Sequence, residues 1–190
     1  MEEKLKQEPS DIVKVVLFGP ESTGKTTLAK QLAAHYDTKW VPEYAREYLQ
    51  EKWDREQKTC EPEDLLPIAV GQMHLENAYT KQANTYLFCD TDLLETKVYS
   101  EAYYVGSCDP LLEKYALENS YDLYLLTSID VPWVKDDLRD KPDAREEMFS
   151  FFHNTLKKYN RNFRTLKGTK EERFQKAIEH IEKLRNPRLF

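Results

Sequence analysis

Residues Gly19–Thr26 read GPESTGKT, which spaces two glycines, a lysine and a hydroxyl residue as G-x-x-x-x-G-K-[ST]. Each residue type has a task in holding polyphosphate. Gly19 and Gly24 permit the turns and close approach by which backbone N–H groups wrap phosphate oxygens. Lys25 reaches β- and γ-phosphates, and the Thr26 hydroxyl ligates Mg²⁺. A helix that follows aims its N-terminus at the anion. Glu21, Ser22, Thr23 and Thr27 complete the candidate nucleotide contacts. The expected cofactors are therefore ATP and Mg²⁺.

A phosphate taken from ATP needs an acceptor, a base or orienting group, a cation and a way to exclude water. The stretch YLFCDTD ends an apolar run in acid, so Asp90 is the candidate second metal contact. Asp92 suits the cap of the next helix, and is also carried as a substrate contact. In VPEYAREY, Glu43 is the candidate base, with Tyr44 and Arg46 as substrate contacts; an ordinary i, i+3 ion pair of Glu43 with Arg46 is the alternative. In DDLRDK, Arg139 is the candidate catalytic cation, unless Asp136, Asp137 and Asp140 simply neutralise it. Lys135 and Lys141 are weaker choices. Trp40, Tyr44, Tyr103, Tyr104 and Trp133 flank these segments and could stack on a flat heterocycle or belong to the core. The four histidines have no metal-ligand spacing.

Alternating elements must position these groups. VKVVLF at 13–18 reads as a strand buried on both faces. A loop and a helix to about His35 follow, then a short strand at 39–42 and a helix from 43. A long helix is expected from near Pro62 toward Asn84, with a break or restart at Pro67. Strands at 86–90, 121–128 and 163–168 alternate with helices at about 93–104, 110–118, 144–159 and 170–184. The pattern predicts an α/β, three-layer P-loop NTPase fold with a mostly parallel five-stranded sheet and a small lid near 130–143. Residues 1–12 are expected to be a flexible N-terminal segment, and 13–190 the kinase domain.

The 190 residues suit one domain. A net charge of −6 disfavours nucleic acid and anionic membranes as partners. Cys60, Cys89 and Cys108 form no CxxC pair, which points to a reduced, cytoplasmic protein. The N-terminal residues lack the apolar core of a signal peptide, and no run is long enough to span a bilayer. A homo-oligomer is left open.

FGPESTGKTTLA, VPEYAREYL, residues 88–106 and YDLYLLTSIDVPWVKDDLRD together resemble the ribosylnicotinamide kinase domain of the NAD-biosynthesis regulators. They resemble single-domain AAA-type ATPase/kinase relatives more closely still. The likeness spans about Val13–Leu184. The phosphate loop is widespread, but E-Y-x-R-E, D-T-D and W-V-x-D-x-L-R in this order are more specific. The resemblance implies ATP-dependent phosphorylation of nicotinamide riboside, a small-molecule nucleoside, to nicotinamide mononucleotide. It implies Lys25 and Thr26 at ATP and Mg²⁺, Glu43 and Asp90 near substrate or metal, and Arg139 in the lid. Some relatives carry Trp directly before the E-Y pair, where this chain has Pro42; Trp40 or Tyr44 would then stack on nicotinamide. No H-x-G-H adenylyl-transfer motif occurs, so the kinase step alone is expected. Another nucleoside or nucleotide kinase, or a regulatory P-loop ATPase, is the alternative.

Overall fold

The computed structural model describes residues 2–104, 108–132 and 144–185. Along them run β1 (Val13–Phe18), α1 (Lys25–His35), β2 (Lys39–Val41), α2 (Tyr44–Glu56), α3 (Leu65–Thr80), β3 (Tyr86–Asp90) and α4 (Leu93–Tyr103). Then come α5 (Pro110–Glu118), β4 (Leu123–Thr127), α6 (Arg145–Lys158), β5 (Phe163–Leu166) and α7 (Lys170–Arg185). The five strands form one sheet in the order β2-β3-β1-β4-β5. Every pairing is parallel, so the sheet is uniformly rather than mostly so.

Three layers follow from the alternation within β1. Val15 and Leu17 face Leu28 and Leu32 of α1 and Ala177 and Ile181 of α7. Val16 and Phe18 face Met73 of α3, Leu94 of α4 and Phe152 of α6. With apolar residues on both faces, β1 can only be a central strand. Its neighbour β3 is followed by α4 on one side of the sheet, while β1 is followed by α1 on the other. The connections therefore diverge above the carboxyl ends of β1 and β3, which opens a crevice where ligands bind in open α/β sheets.

One expectation is resolved and another changes. At Pro67 the helix restarts rather than breaks, because a short 3-10 turn at Pro62–Asp64 precedes α3 and places Pro67 in its first turn. An N–H there has no partner within the helix, so its loss is tolerated. The segment before β1, expected to be flexible, is docked. Leu5 is fully buried, and the Gln7 side chain donates to Glu76 at 2.8 Å. The expected lid lies mostly outside the described residues, and Trp133, Lys135, Arg139 and Lys141 fall there.

Candidate active site

The carboxyl end of β1 leads into the 19–24 loop. Gly19 has φ 142°, and a Cβ there would sit 2.8 Å from Thr127 Oγ1 and 2.9 Å from the Thr127 carbonyl oxygen. Only glycine lets the loop lie this close to β4. Gly24, at φ 85°, turns the chain into α1. The Thr23 hydroxyl shares a 2.7 Å hydrogen bond with Thr127 Oγ1. From α7, Arg173 donates to the carbonyls of Thr23 at 2.7 Å and Ser128 at 2.9 Å, and pairs with Asp130. The loop is thus fixed by distant elements as well as by its own turns.

Lys25 is buried. Its ammonium donates to the carbonyls of Gly19 at 2.6 Å and Pro20 at 3.1 Å, and pairs with Glu95 Oε1 at 3.1 Å. Burial works against its charge, but Glu95, Glu43 and Asp90 outweigh this and hold its pKa above the ordinary lysine value. Glu95 also accepts from the Gly19 amide at 3.3 Å.

Parallel register places Asp90 beside Leu17, next to the loop. The Thr26 hydroxyl donates to Asp90 Oδ2 at 2.5 Å. Asp90 Oδ1 is buried with no hydrogen-bond partner among the described residues. Burial and then the charge of Glu43 push the Asp90 carboxyl up to about 6, against the pull of Lys25, Thr26 and Arg46. A bare carboxylate oxygen beside a hydroxyl under a phosphate loop suits Mg²⁺, which takes one or two protein oxygens and fills its shell from phosphate and water. Among the described residues no cluster of three or more His, Cys, Asp or Glu could hold a metal by itself. The fit is to a cation shared with phosphate.

Thr91 has φ 75°, a costly conformation for a β-branched residue. The turn separates the two acids of D-T-D. Asp90 faces the loop, whereas Asp92 caps α4, accepting from the Glu95 amide at 2.9 Å and the Tyr124 hydroxyl at 2.7 Å. Burial pushes the Asp92 carboxyl up to about 7. Asp92 faces the core and lines neither cavity described next, so the cap alone explains its placement.

Two cavities meet at Glu21, Glu43, Ala45 and Leu49. One follows the loop from Glu21 to Thr27 and includes Arg46. The other, open to solvent, is lined by Glu21, Glu43 and Glu95 and by Tyr99, Tyr103 and Tyr104. Thr59, Cys60, Leu65, Ile68, Gln72, Thr91 and Thr96 complete its wall. Among the described residues, no lysine or arginine lines it. Tyr104 donates to the Cys60 carbonyl at 2.8 Å, closing one side. A third cavity flanks the loop between α1 and α7, bounded by Leu28, Gln31, Val131, Pro132, Lys170 and Arg173.

Glu43 stands at the start of α2, held through its neighbours. Gln72 of α3 accepts from the Tyr44 amide at 2.8 Å and donates to the Pro42 carbonyl at 3.3 Å. Arg46 Nε lies 3.9 Å from Glu43 Oε2, the outer limit of an ion pair. Tyr44 packs on α3: a Cβ at Gly71 would meet its Cε1 at 2.1 Å. Trp40 packs on the opposite face of the sheet, under Lys30 Nζ at 5.1 Å from its ring. Neither lines the acid-rich cavity, whose aromatic residues are Tyr99, Tyr103 and Tyr104. Glu95, Gln72, Tyr99 and Arg173 are given no role by the sequence reading, although Glu95 and Tyr99 lie within the 88–106 stretch that carries the resemblance. The one trace of Glu95 is an acid inside the apolar run LLETKV, and as the residue three after Asp92 it reads as part of a capping box.

A family model described as an AAA domain matches residues 14–173. The trifunctional NAD biosynthesis/regulator proteins NadR of Salmonella typhimurium and Escherichia coli are each 28% identical over 173 residues, covering 90% of this chain and 42% of theirs. The chain thus spans less than half the length of these relatives. Among solved structures, NadR protein in complex with NR superposes with a TM-score of 0.78 at 22% identity, over 92% of this chain and 52% of that one. Thymidylate kinase from Candida albicans gives 0.67 at 14% identity, over 94% and 95%. The fold is that of P-loop kinases.

Proposed function

The chain belongs to the AAA domain family, and on that premise we propose that it is an ATP-dependent small-molecule kinase that phosphorylates nicotinamide riboside to nicotinamide mononucleotide. The observation that carries this reading is the acid-and-tyrosine cavity joined to the phosphate loop at Glu21 and Glu43. The carboxylates of Glu21 and Glu43 and the three tyrosines favour a flat, positively charged ring, Glu95 being paired with Lys25. A nucleotide acceptor brings a phosphate and calls for cations, and no lysine or arginine lines this cavity among the described residues. The relative solved with NR and the NadR kinship support the same choice. Free Cys60, Cys89 and Cys108 agree with a reducing, cytoplasmic setting.

In this reading the loop amides and the start of α1 hold the donor phosphates, and the cavity between α1 and α7 takes the donor's base and ribose. Lys25 leaves the Gly19 and Pro20 carbonyls to meet the β- and γ-phosphates. Thr26 and Asp90 would hold Mg²⁺, which supplies charge neutralisation at the phosphates. The acceptor hydroxyl, aligned by the cavity, attacks the γ-phosphorus as the bond to the β–γ bridging oxygen breaks, and Glu43 accepts the hydroxyl proton. Arg139 is assigned to the lid, to cover the transferring group and exclude water. Arg46, at the mouth of the phosphate-side cavity, adds positive charge near the transfer path.

The test is ATP consumption across a panel containing nicotinamide riboside, neutral nucleosides and thymidine monophosphate. Turnover with nicotinamide riboside, well above the acceptor-free rate, is expected. Turnover with a neutral nucleoside and none with nicotinamide riboside overturns the acceptor assignment. No stimulation by any acceptor overturns the transferase reading in favour of a regulatory ATPase.

A further inference from the structure

Lys25 and the first glycine of the loop converge on one side chain, Glu95 of α4. Its Oε1 lies 3.1 Å from the lysine ammonium and its Oε2 accepts from the Gly19 amide at 3.3 Å. Glu95 is almost wholly buried and also lines the acid-rich cavity. The lysine's other partners are two carbonyls of the loop itself, Gly19 and Pro20. The ammonium is thus folded back on its own loop and ion-paired.

We propose that Glu95 is a positioning residue that competes with the donor's phosphates for Lys25. When the site is empty, the carboxylate keeps the buried ammonium and the Gly19 amide satisfied, so the loop keeps its shape. When phosphate arrives, Lys25 must give up Glu95 to reach it. When product leaves, Glu95 recaptures the lysine and assists release. Two effects run in the same direction. Removing the carboxylate charge destabilises the empty site, which leaves a buried cation less compensated. It also removes a negative charge close to the incoming phosphates. Both tighten donor binding. Glu43 and Asp90 also favour the charged form of Lys25, while burial pushes the Glu95 carboxyl well above the usual carboxylate range against the pull of Lys25.

The proposal rests on Lys25 being the lysine that meets the donor, and on nothing about the acceptor. Its experiment therefore uses MgADP alone, with binding to wild type and Glu95→Gln followed by calorimetry and release by stopped-flow. The amide oxygen of glutamine still accepts from Gly19 or Lys25. The expected result is MgADP bound roughly tenfold more tightly by the variant, with slower release. A merely structural role for Glu95 predicts weaker binding, so unchanged or weaker affinity overturns the proposal. No MgADP binding to wild type overturns the kinase reading itself. If Glu95→Gln does not fold, Glu95→Asp carries the test. Its shorter side chain cannot span both Lys25 and Gly19, so tighter binding than wild type is again expected, and unchanged or weaker affinity again overturns the proposal.

Discussion

In the proposed reading the donor and acceptor halves of the site are the two cavities that meet at Glu43, and they are built on opposite plans. The donor half is largely backbone: the 19–24 loop and the first turn of α1, consecutive in the chain, with Lys25 and Thr26 added. The acceptor half is made of side chains from five places: Glu21 on the loop, Glu43 before α2, Cys60 in the connector, Gln72 on α3, and Glu95 through Tyr104 on and after α4. The first offers amides and an ammonium to an anion, while the second offers carboxylates and rings. A backbone anion site can be written in eight consecutive residues, because its donors need only the correct turns. A pocket of side chains exists only once its helices have packed.

That contrast can be broken at four points. Lys25→Ala strikes the donor half and is expected to lower ATP-dependent turnover by about 10³-fold, read in the coupled assay. Glu43→Gln strikes the junction. Turnover is expected to fall by about 10²-fold while MgADP affinity stays at the wild-type value; unchanged turnover would reduce Glu43 to a surface carboxylate.

Asp92→Asn separates the two acids of D-T-D. The Asp92 pKa is raised in the fold from 3.8 to about 7, so its protonated form is favoured there. Its contribution to stability is present below the unfolded value and is lost as pH rises through about 7. Urea unfolding at pH 5 and pH 8 should therefore show the variant gaining on wild type at the higher pH, on the order of 2 kcal/mol. MgADP affinity should not change; a change would place Asp92 in the site after all. The smallest effect is expected from Tyr104→Phe, which frees the Cys60 carbonyl at a cost of about 1 kcal/mol. Steady-state assays should show a several-fold higher acceptor KM with the donor KM unaltered.

The same contrast explains what could be read from the sequence. β1 is legible because burial on both faces leaves a run of apolar residues, and the loop because each glycine answers a backbone need. Asp90 is legible because it ends a strand beside the loop. Tyr44 and Trp40 mislead, since an aromatic near a motif does not declare which face of its element is buried. Tyr44 packs over Gly71 and Trp40 lies on the far face of the sheet. Pro67 is ambiguous because a first-turn proline and a helix break look alike until the helix start is known. Glu95 and Gln72 are silent because their partners are 76 positions away for Gly19 and 28 to 30 for Tyr44 and Pro42.

Arg173 gives the loop a history as well as a shape. Its guanidinium grips the Thr23 carbonyl across 150 positions of sequence, together with the Ser128 carbonyl and the Asp130 carboxylate. The loop therefore precedes its clasp by 150 positions and is completed only once α7 has been made. A chain still in production can form β1 and α1, yet it lacks the clasp from α7 that secures the turn between them. Occupancy by nucleotide should accordingly report on the integrity of α7, 150 positions along the chain from the loop it clasps.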